Sequence, residues 1–119
     1  MTAPTAPTLD VDALRSASDA ISALAAVLAD DVEWIEVDQR TQPAAPSVIH
    51  GRDNVLAMVR DAAQRGIVSR VIDGFAAGDR AAMTVACAMP GGGQVLCNAL
   101  LELRDGNIVR FFAVQAWDA

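Results

Sequence analysis

The spacing of apolar residues changes once along this chain. Up to Gly66 it is mostly helical, interrupted by one strand-like stretch at 28–38; beyond Gly66 every apolar run reads as strand. The clearest helix is RDNVLAMVRDAAQRG, expected over 53–65, with Val55, Leu56, Val59, Ala62 and Ala63 as its apolar stripe. Asp53 is its expected cap, Asp61 and Arg65 form an i,i+4 pair, and Gly66 ends it. In SDAISALAAVLADD, Ile21, Leu24, Ala25 and Leu28 share a helical face. Ser18 or Asp19 is placed to cap it, and Asp30 and Asp31 mark the turn into the next strand. LDVDALRSAS is at most a short helix. QRTQPAAPSVIHG, with its two prolines, reads as a long loop of the kind that borders functional sites. Four strands follow, IVSRVIDGFAA, RAAMTVACAM, QVLCNALLEL and NIVRFFAVQAW, joined by GD, PGGG and RDG. Connections that short make neighbours pair antiparallel. Helices gathered away from a run of strands predict an α+β domain, with helices packed on one face of a curved sheet.

The stretch LADDVEWIEVD breaks the expected alternation. Successive side chains of a strand face opposite ways, so Val32, Trp34, Glu36 and Asp38 share one face, and Glu33, Ile35 and Val37 the other. Two acids therefore share the face that a Trp favours for burial. Either they sit solvated at the strand end, or that face lines a cavity.

At 119 residues the chain suits a single domain, taken as 9–119, behind a Thr/Ala/Pro tail at 1–8 expected to be disordered. The net charge of −6 argues against a nucleic-acid partner. All nine basic residues are Arg, so no lysine Schiff base can form, and the lack of Tyr removes any phenol as an oxyanion donor. One His and two Cys do not make an ordinary His/Cys metal site, and neither common nucleotide-binding loop is present. No metal or cofactor is expected. MPGGGQ lies between two strand-like runs and reads as a hairpin turn. Although 53% of residues are hydrophobic, no apolar run approaches the ~20 residues of a membrane span, and the first residues do not form a signal peptide. A cytoplasmic protein with no membrane contact is the expectation.

Several strings, in order, carry a family resemblance: LADDVEW at a helix-to-strand junction, HGRDNV leading into a helix, LELRDGNIVRF as a last hairpin, and VQAWD as a closing strand. Over residues 9–118 the chain resembles the SnoaL-like, nuclear transport factor 2-like superfamily, which includes the ketosteroid isomerases. The resemblance implies a cone-shaped, curved antiparallel sheet wrapped around N-terminal helices, in the manner of a cystatin-like α+β barrel, with a pocket open at one end. It implies a small, mostly apolar ligand and, in many members, a dimer. The isomerases carry their base on the first strand. Glu36 matches that position, and Asp38 is one step further on the same face. Burial of a carboxylate there would raise its pKa toward the range useful to a general base. The departures count against a steroid isomerase. The phenol is missing, and the second acid's position falls near Asn98, whose phase with Glu102 points it outward and turns Cys97 and Ala99 inward unless a bulge intervenes. Epoxide hydrolases of this fold use an Asp–Arg–Asp set, and one of those positions falls near Ala113.

The remaining candidates follow from position. His50 is either a solvated loop residue or a partner for Glu36 or Asp38 at the pocket mouth. Arg52 reads as a loop anchor and Asp118 as a chain-end cap or ion-pair partner. Phe111, Gln115 and Trp117 share a face of the last strand, and with Trp34 they read as pocket wall. Cys87 and Cys97 lie on strands joined by the Gly turn and are expected as free thiols in a reducing compartment. The expected function is a pocket for a small apolar cyclic or carbonyl-bearing molecule, with proton transfer of the isomerase or cyclase type. A non-catalytic ligand-binding or dimerisation module of the same fold is the alternative. Strands AAMTVACAM and VLCNALLEL are apolar on both faces, which predicts a homodimer packed sheet to sheet.

Overall fold

A computed structural model describes residues 9–118; the tail at 1–8 lies outside the described residues. The elements run α1 (Val11–Ser16), α2 (Ala20–Ala25), β1 (Leu28–Val37), β2 (Ser47–His50), α3 (Arg52–Gln64), β3 (Val68–Ala77), β4 (Arg80–Ala88), β5 (Gln94–Arg104) and β6 (Asn107–Trp117). The six strands form one curved, unclosed sheet in the order β2-β1-β6-β5-β4-β3. β3 to β6 pair antiparallel in series, as their short connections dictate. β1 lies parallel to β6, so one junction departs from the antiparallel expectation. Between β1 and β6 the chain runs through α3 and four strands, a connection long enough to leave their relative direction free.

Four local expectations are corrected. The run read as loop up to Gly51 contains β2, which pairs antiparallel with β1 from Glu36↔Ser47 to Glu33↔His50. Four residues of mixed polarity at a sheet edge are too short to show a period. The second helix stops at Ala25 rather than continuing toward Asp31, because Leu28 already pairs with Ile108 and the Ile108 N–H donates to the Val27 carbonyl at 2.7 Å. Asp19 occupies the N-cap of α2, but its side chain makes no capping hydrogen bond. Nor does Asp53 cap α3. Gly51 takes that place at φ 86°, a conformation glycine adopts without strain.

α3 buries Val55 and Val59 against the concave face of the sheet. There they join Leu24, Val32, Trp34, Val85, Leu101 and Ile108 in the core. Bulges bend the sheet around the helices, at Ile72 in β3 and at Val109 in β6, opposite Glu102 and Leu103 of β5. At Gly74 the bend brings β3 so close to β4 that a Cβ would stand 2.7 Å from the Ala82 carbonyl and 2.8 Å from the Met83 Cβ. On the convex face Phe75, Leu96, Leu100 and Val114 are exposed. One end of that face carries a row of register partners, His50–Glu33–Arg110–Glu102–Arg80, with N···O distances of 3.7 to 3.9 Å. Exposed pairs of this kind contribute about 0–1 kcal/mol each. Among the described residues, no helix is long and apolar enough to cross a membrane.

Candidate functional site

β1 answers the question its sequence raises. Val32 and Trp34 are buried in the core, and Glu36 follows them on the same face. Trp34 lies beside its register partner Phe111, the rings stacked at 3.7 Å and 12°. With Val85, Val95 and Ala113 they wall a cavity of about 210 Å³ whose surface is mostly apolar. α3 covers one side with Met58 and Val59.

Glu36 enters this cavity with both oxygens bonded. Trp34 Nε1 donates to Oε1 at 2.5 Å, and Gln115 Nε2 donates to Oε2 at 3.0 Å. Trp117 Nε1 in turn donates to Gln115 Oε1 at 2.9 Å, which holds the Gln115 amide with its NH₂ toward the carboxylate. Burial pushes the Glu36 pKa above the ordinary carboxylate value. The Trp34 bond opposes that rise, the charge of Asp38 adds to it, and the Gln115 bond opposes it. The result is a carboxyl that keeps its proton more readily than a free Glu, in a cavity open to a small molecule.

The structure separates the sequence candidates. Trp34, Cys97, Phe111, Gln115 and Trp117 line the cavity with Glu36. Asp38 does not. β1 ends at Val37, so the alternation that would aim Asp38 inward stops one residue early, and its Oδ1 accepts the Arg40 N–H at 2.7 Å. Asp38 therefore acts on Glu36 only through its charge. His50 is a correction as well. It pairs with β1 opposite Glu33, its Nδ1 is 3.7 Å from the Glu33 carboxylate, and its side chain is 74% exposed on the convex face. It reaches neither Glu36 nor Asp38. Asn98 also faces outward, accepting the Thr84 hydroxyl at 2.7 Å. The bulge between β5 and β6 lies beyond it, at Val109 of β6 opposite Glu102 and Leu103, so nothing turns Asn98 inward. Ala113 places only a methyl in the cavity wall, which leaves the Asp–Arg–Asp arrangement without one of its acids. Asp118 ties the sheet end, its carboxylate accepting the Gln94 N–H at 2.9 Å.

Other cavity residues escaped the sequence reading. Ser69 is buried, accepts the Ile21 N–H at 2.9 Å, and donates its hydroxyl to Asp19 Oδ1 at 2.6 Å. The Ser69 N–H bonds the same oxygen at 2.8 Å, and the Ser22 hydroxyl bonds Oδ2. Burial pushes the Asp19 pKa up, but the bonds from Ser22 and Ser69 outweigh it and hold the pKa below its ordinary value. The available signal was a Ser two residues from Val71 in an apolar alternation. Cys87 shares the inward phase of Met83 and Val85, and Met58 and Met89 complete that side. Among the described residues, no group of three His, Cys, Asp or Glu side chains is placed to hold a metal ion.

A bent sheet folded over helices, with a carboxylate in the apolar cavity between them, defines a cone-fold pocket protein. The SnoaL-like domain family model matches residues 11–111, and the chain belongs to that family. A candidate ketosteroid isomerase from Kribbella flavida DSM 17836 is similar in fold, at 24% identity, TM-score 0.64, covering 91% of this chain and 71% of that one. A protein of unknown function from Mesorhizobium loti, like nuclear transport factor 2, gives 23% identity and TM-score 0.64 over 82% of this chain and 78% of its own. An uncharacterised bacterial protein with a cystatin-like fold, from Silicibacter pomeroyi DSS-3, gives 21% identity and TM-score 0.65 over 89% and 72%. At these identities the likeness concerns the fold. No curated protein matches the chain.

Proposed function

We propose that this is a cytoplasmic proton-transfer enzyme of the isomerase or cyclase type, with Glu36 moving a proton between two carbons of a small carbonyl-bearing ring compound. The observation that carries the reading is a carboxyl buried in a mostly apolar cavity, its pKa raised by burial and its orientation held by Trp34 and Gln115. A base of this kind must be desolvated enough to be basic and open enough to meet a carbon acid. The cavity of about 210 Å³ favours a single-ring ligand over a steroid, since sites for drug-sized molecules run from about 300 Å³ upward. Deuterium exchange into cyclohexanone, and isomerisation of 3-cyclohexen-1-one followed by NMR, test the reading. Glu36→Gln keeps the shape and should abolish both while ligand binding persists; turnover undiminished in that variant would refute it.

The second reading, a ligand-binding module without catalysis, draws support from the two hydrogen bonds already made to Glu36, one to each carboxylate oxygen. Binding without exchange in the wild-type protein would select it.

The working form is a homodimer packed through the convex face, where Phe75 (69% exposed), Leu100 (63%), Leu96 and Val114 lie together on neighbouring strands. Apolar surface of this extent favours a partner over water. Light scattering should give twice the chain mass at micromolar concentration and the single mass for Leu100→Glu; a monomeric wild type would rule the dimer out.

A further inference from the structure

The cavity holds two thiols that the proton-transfer reading does not use. Cys87 on β4 and Cys97 on β5 both line it, and both are free. The register sets Cys87 against Val95 and Val85 against Cys97, so the two are diagonal neighbours on the face that lines the cavity. A diagonal pair across antiparallel strands stands ~7–8 Å apart at Cα, beyond the ~4.4–6.8 Å that a disulfide spans. The arrangement suits one thiol supporting the other. Cys97 is buried and Cys87 only half-buried, so Cys87 has the freer side.

We propose that Cys87 is a nucleophile toward a small α,β-unsaturated carbonyl compound bound in the cavity, with Cys97 as the positioning donor behind it. This names a substrate class for the site above, and it rests on that reading for the ligand's size and for Glu36 as proton carrier. Sulfur is a soft nucleophile, and a conjugated enone presents a soft electrophilic carbon on an apolar frame that this cavity admits. In the step, Cys87 Sγ bonds to the β-carbon and the C=C π pair shifts onto the carbonyl oxygen. The α-carbon then takes the proton of the Glu36 carboxyl, and the thiol's proton replaces it on Glu36. The net change is S–H added across C=C, with no other reactant. The neighbouring Cys97 thiol lowers the Cys87 pKa below the ordinary thiol value; burial opposes this, as do the charges of Glu36 from β1 and Asp19 from the start of α2. α3 brings Asp61 and Arg65 to the same cavity. The Cys97 thiol is pushed up, first by the neighbouring Cys87 and then by burial, so it keeps its proton.

The test is intact-mass kinetics on the full chain with 2-cyclohexen-1-one. One adduct should form, mapped to Cys87, saturating with probe concentration and at least roughly tenfold faster than glutathione at the same pH, as for an activated thiol. Cys87→Ser should form none. Cys97→Ala should move the midpoint of the rate–pH profile upward, and Cys97→Ser, which keeps a donor, should restore it toward wild type. An adduct on Cys97, unsaturable kinetics at the glutathione rate, or a midpoint equal in all three Cys97 forms would overturn the proposal. Glu36→Gln separates the two ideas. Adduct formation that persists where wild-type deuterium exchange is absent sinks the proton-transfer reading alone, and exchange without any adduct sinks this one alone.

Discussion

Replacing Trp34 with Phe tests the electrostatics of the cavity directly. Phe keeps a ring to stack on Phe111, gives up part of the buried indole, and removes the Nε1–H that donates to Glu36 Oε1. A neutral hydrogen bond contributes about 1 kcal/mol and one to a charged group about 1.5–3 kcal/mol. The loss should therefore be larger when Glu36 is ionised than when it is protonated, by roughly 1–2 kcal/mol. The sign follows from the raised pKa of Glu36. Below the ordinary carboxylate pKa the group is protonated, folded or unfolded, and Trp34→Phe shows its packing cost plus a neutral bond. As pH rises through the folded-state pKa, the wild type gives up stability because the buried group must ionise. The variant, with one donor fewer, gives up more and over a window that extends higher. Urea denaturation at a series of pH values, run as a double-mutant cycle with Glu36→Gln, isolates the coupling, since packing terms cancel. In parallel, a ¹³C NMR titration of the Glu36 carboxyl should show its midpoint moving further up in the variant. A coupling energy that does not change with pH, or a wild-type Glu36 that titrates at or below the ordinary value, would refute the assignment of this carboxyl to an apolar cavity.

Two further outcomes test how the fold holds the site. Gly74→Ala should destabilise by about 1–3 kcal/mol, because its Cβ would press on the Ala82 backbone; a thermal midpoint within a degree of wild type would show that β3 is not held against β4 as described. Ser69→Ala strands the Ile21 N–H and takes a donor from Asp19, with an expected loss of about 1–3 kcal/mol in denaturant. Asp19 is held below its ordinary pKa, so its contribution is present at neutral pH and fades as pH falls through the folded-state value; the variant should lose less on acidification than the wild type.

The sequence by itself determined the parts of this protein that depend on near neighbours. The period-two runs after Gly66 and their short turns dictate four antiparallel strands, and the stripe from Val55 to Val59 dictates α3, because strand and helix geometry act over a few residues. The alternation in LADDVEWIEVD was enough to place Glu36 on the face of Trp34. Other features depended on residues far apart in the chain. The parallel pairing of β1 with β6 joins Trp34 to Phe111 and, through Gln115, closes the hydrogen-bond chain on Glu36. No local pattern encodes a pairing across more than seventy residues. His50 and Asp38 were misplaced for the same reason: β2 turns His50 to the convex face, and the end of β1 at Val37 releases Asp38 into a turn. The diagonal contact of Cys87 with Cys97 required the β4–β5 register, and the bond from Ser69 to Asp19 spans fifty residues. Local rules decide which way a side chain points along its own element. Packing decides what it meets there, and at this site that includes whether a carboxyl keeps its proton.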